Sequence, residues 1–193
     1  YMQPLSQALA GWRWVRPEGA HITLGFLGEL AEADVVHVGK AVAAIQSWAS
    51  SGGMDSSDVH SLSSMRFSRL ARFPPSGRPR TLVIAPDDAQ SAVQQCLGRI
   101  RVQLGHCLSA HAYSSVFSGP CTAHVSLARA KDGRPALPKT VDIPYAMTGP
   151  FCFGRLGLME SLLGPGGSRY RLLAQATLVK PAYNAESNTG GKP

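Results

Sequence analysis

Two short stretches of this chain set an imidazole and a hydroxyl two residues apart. His21-Ile22-Thr23-Leu24 and His124-Val125-Ser126-Leu127 share the order imidazole, β-branched apolar residue, small hydroxyl, leucine, and the following position is small in both, Gly25 and Ala128. A lone histidine on an apolar strand is ordinarily a structural group, because histidine is of intermediate burial and pairs readily. Two copies of one pattern in equivalent strand contexts point instead to shared chemistry. Strand side chains alternate, so residues i and i+2 face the same way and each stretch presents its imidazole and hydroxyl together. Two such strands facing one another across a cleft surround a small centre with two imidazoles and two hydroxyls, and a phosphodiester fits that description. A neutral imidazole takes the proton of an attacking water or hydroxyl, and a protonated one gives a proton to the leaving oxygen. The hydroxyls of Thr23 and Ser126 can donate to the non-bridging phosphoryl oxygens, where charge develops. That chemistry requires no metal.

The other four histidines, His37, His60, His106 and His111, sit in helix or loop contexts without a partner pattern. His106 and His111 lack a third recognisable metal ligand, so structure or solvent is their expected role. Cys96, Cys107, Cys121 and Cys152 lie far apart with no C-x-x-C spacing, so neither a zinc knuckle nor a disulfide framework is suggested, and reduced thiols fit best. With 19 basic against 12 acidic residues the formal charge is +7, which favours polyanionic partners, nucleic acid first. No apolar run reaches the length of a membrane span and no charged-then-apolar leader opens the chain, so a soluble cytoplasmic protein is expected.

The elements that must position the two motifs follow from periodicity. At 193 residues and 44% apolar content the chain can bury one substantial core. Leu5–Ala10 reads as the end of a helix closed by Gly11, Arg13–Val15 as a short strand, Arg16–Gly19 as a turn, and Ala20–Leu27 as a buried strand. Val35, Val38, Val42, Ile45 and Trp48 recur at helical spacing within a helix over 31–49. Residues 50–64, rich in Ser, Gly and Asp, read as a loop. Strands follow near 66–73 and 81–85. Asp87 is placed to cap a second helix with Val93, Leu97, Ile100 and Leu104 on its stripe and Gly105 at its end. A loop over 109–122 leads into the strand 123–129, and further strands are expected near 141–143, 151–161 and 169–179, the last two joined by a Gly-Pro-Gly-Gly turn. The polar tail, 180–193, is expected to be disordered. This alternation describes an α/β or α+β chain in two similar halves.

At its two motifs the sequence resembles the two-histidine phosphoesterase superfamily, and within it the LigT-like RNA 2',3'-cyclic phosphodiesterases, also called 2'-5' RNA ligases. "RWVRPEGAHITLGFLGEL" resembles the family's first block, "FPPSGRPRTLVIAP" its central block, "HVSLARAK" its second motif and "LMESLLGPGGSRYRLLAQATL" its C-terminal block. The resemblance implies an α+β, bilobal fold over 1–179: two antiparallel-rich sheets related by a pseudo-twofold about a central cleft, with helices outside. It implies metal-independent hydrolysis of RNA 2',3'-cyclic phosphate ends to a 2'-phosphate, in some members with the reverse 2'-5' ligation, and no cofactor. The partner is then RNA with a cyclic phosphate end or a cyclic nucleotide, met by a monomer. Carried over residue by residue, His21 and His124 are the catalytic acid and base of the two HxTx-type motifs, and Thr23 and Ser126 are phosphate ligands. Phe26 and Arg129, five residues after each histidine, flank the terminal base and contact the phosphate. An odd offset, however, aims those two side chains away from the histidines unless a bulge or a strand end re-aims them. The chain departs from the family in lacking the strand expected before Leu5, in Ala123 where proline is usual, and in Ser126 where threonine is commoner. Hydrolysis of 2'-5' oligoadenylates or of a small cyclic nucleotide, and non-catalytic binding of RNA ends, are the alternatives.

Overall fold

A computed structural model describes residues 12–74, 80–86, 91–119, 121–130, 149–164 and 167–180. The expected helix end at 5–10, the cap at Asp87, the strand at 141–143 and the tail beyond 180 lie outside the described residues. The elements in chain order are β1 (Trp12–Trp14), α1 (Glu32–Trp48), α2 (Ser56–Ser63), β2 (Arg69–Phe73), β3 (Thr81–Ala85), α3 (Ser91–Cys107), β4 (Val125–Ala130), β5 (Arg155–Gly164) and β6 (Gly167–Thr177). They build two antiparallel sheets, one in the order β1-β4-β3-β2 and the other the hairpin β5-β6. The arrangement is α+β, as expected. No described helix is long and apolar enough to cross a membrane.

The four-stranded sheet has one apolar face and one mixed face, and its register says which residues lie on each. Trp12, Trp14, Leu82, Ile84, Val125 and Ala128 face one way, and most of them are fully buried. They join α1, through Val38, Ala41, Val42 and Ile45, and α3, through Val93, Leu97, Ile100 and Leu104, in one core. At roughly 25 cal/mol for each Å² of apolar surface withdrawn from water, this shared core is the main force holding helices to sheet. α1 also packs on β6, where the Gln46 side chain accepts a hydrogen bond from the Thr177 backbone N–H at 2.9 Å.

Three expected elements differ from what forms. Residues 50–64 contain a helix, α2, started by a reciprocal box in which Asp55 accepts from the Asp58 N–H at 2.9 Å and Asp58 accepts from the Asp55 N–H at 3.2 Å. The Asp-x-x-Asp spacing carried that signal beneath a composition that reads as loop. Asp58 is then buried against α3, where Arg99 donates to both of its oxygens. α3 runs through Gly105 to Cys107 and is followed by a 3-10 turn, Ala112–Phe117, inside the expected loop. The strand expected over 20–27 reduces to a single antiparallel bridge, Ile22 with Val125. Beyond it the backbone is held by side chains: a buried Arg101 donates to the Leu24 carbonyl and Cys121 Sγ donates to the Thr23 carbonyl at 3.7 Å. Those bonds replace a ladder partner, so the segment is fixed without being a regular strand.

Gly25 lies in this segment against the 3-10 turn. A Cβ there would stand 2.8 Å from Val116 Cγ1 and 2.9 Å from Phe117 Cε1. Gly25→Ala is therefore expected to destabilise the chain by about 1–3 kcal/mol through overpacking. Urea denaturation should show a lower midpoint with an unchanged slope.

Candidate active site

The Ile22–Val125 bridge decides how the two motifs meet. Its antiparallel sense sets His21 beside Ser126 and Thr23 beside His124, and directly opposed residues share a face. All four side chains therefore stand on the mixed face, opposite the apolar one that carries Ile22 and Val125. An antiparallel bridge has a local twofold axis, and here it exchanges His21 with His124 and Thr23 with Ser126. The imidazoles occupy diagonal positions, for which the backbone spacing is roughly 7–8 Å. A phosphoryl group fits in that gap. The motifs thus lie side by side on one sheet surface, joined through the backbone, where opposed strands were expected.

The two rings are held in the same way. His21 Nδ1 lies 2.7 Å from the Gly19 carbonyl and His124 Nδ1 lies 2.8 Å from the Thr122 carbonyl, in each case the residue two positions back. A carbonyl only accepts, so each Nδ1 carries the hydrogen and Nε2 is the nitrogen left for exchange. A neutral ring fixed in that tautomer has its Nε2 lone pair available as a base, and protonation there makes it an acid. Aromatic rings flank both: Tyr170 of β6 meets His21 edge-on at 4.9 Å between centroids, and Phe73 of β2 lies 5.1 Å from His124, tilted by 30°. Tyr170 and Phe73 carried no pattern in the sequence that tied them to the motifs. Only the register and the hairpin bring them there. Among the described residues no third metal-ligating side chain joins His21 and His124.

The odd offset of Arg129 is resolved by a β-bulge. β3 pairs Leu82 with Ala128 but Val83 with Ser126, so Leu127 is an extra residue on β4. Leu82 and Val83 point to opposite faces, and their partners must too. Ser126 and His124 therefore share a face with Val83, with Thr81, and with Arg129, the partner of Thr81. Arg13 opposes Arg129 across β1, and Arg69 reaches the same face through its pairing with Ala85. All three guanidinium groups are exposed, so the surface bearing the motifs is cationic. Val83 is fully buried yet stands apart from the main core, as a residue under this second face should. Phe26 is 82% exposed, which excludes core packing, but it follows the bridge outside any regular strand, so no register fixes its direction.

α3 holds both motif segments from behind. Arg101, buried, donates to the carbonyls of Leu24, Val116 (3.0 Å) and Gly119 (2.8 Å) and lies over the Phe117 ring. Gln94, on the same helix face, stands with its amide between the Cys121 carbonyl and the Ala123 N–H, and with the amide oriented to suit both it donates to the first at 2.7 Å and accepts from the second at 2.8 Å. One helix thereby fixes the stretch after His21 and the stretch before His124. Burial raises the Cys121 thiol above its ordinary range, and burial with the nearby Asp58 charge pushes the Cys96 thiol up to about 12, so neither is a nucleophile at neutral pH. All four cysteines are free.

Residues 1–51 match the family model described as LigT like Phosphoesterase. This is a LigT-like fold. Among solved structures it resembles TT0787 of Thermus thermophilus, with a TM-score of 0.62 and 21% identity over 92% of this chain and 87% of that one. Escherichia coli LigT complexed with 3'-AMP matches with a TM-score of 0.53 and 16% identity, and LigT complexed with NADP+ with 0.54 and 19%, each over 88% of this chain and 82% of LigT. No curated protein sequence matches the chain. The LigT-like fold accounts for the antiparallel sheets. The motif geometry above is this chain's own.

Arg101 gives a direct check on how the site is held. Arg101→Met keeps the length of the stem but leaves three carbonyls without their donor, which should cost at least about 3 kcal/mol. Thermal unfolding should show the loss, and the residual folded protein should have less ordered backbone at 23–25 and 119–123 by amide hydrogen exchange.

Proposed function

We propose that this chain, over residues 1–179 as one unit, hydrolyses the 2',3'-cyclic phosphate at the end of an RNA to a 2'-phosphate. His21 and His124 exchange the protons, and no metal takes part at the reacting centre. The observation that carries the reading is the matched pair of imidazoles, each tied through Nδ1 to the carbonyl two residues back, diagonal to one another with a hydroxyl beside each.

In the proposed reaction, His124 Nε2 takes a proton from water as the water oxygen bonds to phosphorus. The bond from phosphorus to the 3' oxygen breaks, and His21 Nε2–H delivers a proton to that oxygen. Thr23 and Ser126 donate to the non-bridging oxygens as their charge rises. Serine at 126 keeps the donor but lacks the stiff rotamer of a β-branched residue, so its hydroxyl is less preorganised than that of Thr23. Arg129 supports the phosphate, and Phe26 flanks the terminal base, for which aromatic and guanidinium planes are both suited. With a 5'-hydroxyl attacking in place of water, the same displacement, with the 3' oxygen leaving, forms a 2'-5' linkage.

Two further facts favour a ribonucleotide. The chain carries a net +7, with Arg13, Arg69 and Arg129 on the motif-bearing face, which attracts a polyanion. The LigT structures that share the fold hold 3'-AMP and NADP+, both built on ribose and phosphate. The expected partner is RNA, bound by a monomer.

A nucleoside 2',3'-cyclic phosphate assayed with chelator present should turn over to the 2'-phosphate. His21→Ala and His124→Ala should each lower kcat about 10²-fold or more, the usual range for a lost acid or base. His60→Ala, on the exposed end of α2, should be indistinguishable from the parent. Equal losses in all three variants, or turnover abolished by chelation, would refute the assignment.

A further inference from the structure

A second cluster of side chains lies outside the motif site. Asp34 and His37, three residues apart on the first turns of α1, share a helix face. His111, at the start of the 3-10 turn Ala112–Phe117, comes up against them. One ligand atom from each of the three lies within 4.8 Å of the others, and the His37 and His111 rings are 4.9 Å apart between centroids. The sequence offered His106 as the neighbour of His111, and the fold supplies His37 and Asp34 instead.

We propose that Asp34, His37 and His111 bind a divalent transition-metal ion, zinc foremost. Two imidazoles and one carboxylate are a recognised donor set for such ions, with the remaining positions filled by water. Two further observations support a built site over a chance encounter. The Tyr113 hydroxyl donates to Asp34 Oδ2 at 2.7 Å, so the carboxylate already has the outer hydrogen bond that orients a ligating oxygen and leaves Oδ1 for the ion. The His111 main chain is fixed by its N–H, which donates to the Leu108 carbonyl at 2.8 Å, and its ring already lies against that of His37. His37 is exposed while Asp34 and His111 are partly buried, which gives the ion an entry path.

The role is structural. An ion here cross-links α1 to the segment 111–119, which backs Gly25 through Val116 and Phe117 and gives carbonyls to Arg101. It would therefore stiffen the support of both motif segments without touching the reacting centre. The metal-independent reaction proposed at His21 and His124 does not depend on an ion here.

The test uses the full chain freed of metal by chelation and then titrated with Zn2+, and with Co2+ for its visible absorption. One ion per chain should bind, the Co2+ spectrum should show imidazole ligation, and a hundredfold excess of Zn2+ over Kd should raise Tm by about 5–10 °C. His37→Ala, His111→Ala and Asp34→Asn should each abolish the Tm shift and the absorption. His60→Ala, His106→Ala and Cys107→Ser, at exposed positions elsewhere, should leave both intact. His37 is exposed, so its variant should fold, and circular dichroism checks this. Binding that survives in the His37→Ala, His111→Ala double variant overturns the proposal, as does the absence of any shift at millimolar Zn2+. Turnover by the metal-free chain at 25 °C reads the reaction separately from the Tm that reads the site.

Discussion

A single buried cation organises the region where the two motifs meet. Arg101 has no carboxylate partner among the described residues; its guanidinium is satisfied by three backbone carbonyls, from Leu24, Val116 and Gly119. A buried charge is tolerated only when hydrogen bonds compensate its lost hydration, and a carbonyl away from regular structure needs a donor as much as the cation needs an acceptor. The need is mutual. Residues 23–25 and 121–123 are not regular strands, and without α3 behind them their backbone groups would lack partners. Gln94 does for the stretch before His124 what Arg101 does for the stretch after His21. The precision of the site is thus borrowed from a helix whose apolar stripe, Val93, Leu97, Ile100 and Leu104, is ordinary core.

The sheet contributes a different constraint. One antiparallel bridge, with its local twofold, is enough to place two imidazoles and two hydroxyls on one face, and it makes the environments of the two histidines alike down to the carbonyl that each Nδ1 meets. That likeness suits the proposed reaction, in which one ring takes a proton through Nε2 and the other gives one from the same atom. The differences come from what is laid over the bridge: Tyr170 beside one ring, Phe73 beside the other, and a guanidinium only five residues past His124. In the proposed reaction these surroundings, and not the motifs, distinguish acid from base. The bulge at Leu127 matters for the same reason. It turns Arg129 onto the motif-bearing face without disturbing the apolar face, where Ala128 remains paired with Leu82.

The sequence was legible where one period dominates. The stripe of Val38, Val42 and Ile45 marks α1, the apolar run Leu82–Ile84 marks β3, and the alternation of Val125, Ser126 and Leu127 marks β4, because those patterns report burial directly. The repeated His-x-Thr/Ser was legible because alternation on a strand makes i and i+2 neighbours. What escaped has physical causes. α2 is short and polar, and its start depends on two aspartates capping one another. Residues 23–25 read as strand because they are apolar, although side chains and not a neighbouring strand hold their backbone. The bulge and the positions of Tyr170 and Phe73 depend on pairing partners far along the chain, and no local pattern records those. Arg101 was hidden in the apolar stripe of α3, between Leu97 and Leu104, where a charged residue reads as an exposed neighbour and not as the centre of a network.

The segment 111–119 ties these levels together. Its carbonyls end on Arg101, its Val116 and Phe117 fill the space that the absence of a side chain at Gly25 leaves, and its first residues meet α1 at His37 and Asp34. A short 3-10 turn has little stability of its own, since its hydrogen bonds are poorer than those of an α-helix. Its position must come from outside, and it is anchored at each end: a buried cation at one, and at the other a tyrosine bonded to an aspartate with two imidazoles in contact. Displacement at either end would reach the motif segments through the same few side chains. A metal ion at the far end, as proposed, would act on the site only by holding this turn, which is why its effect belongs to stability and backbone order while the proton transfers proposed at His21 and at His124 need no ion.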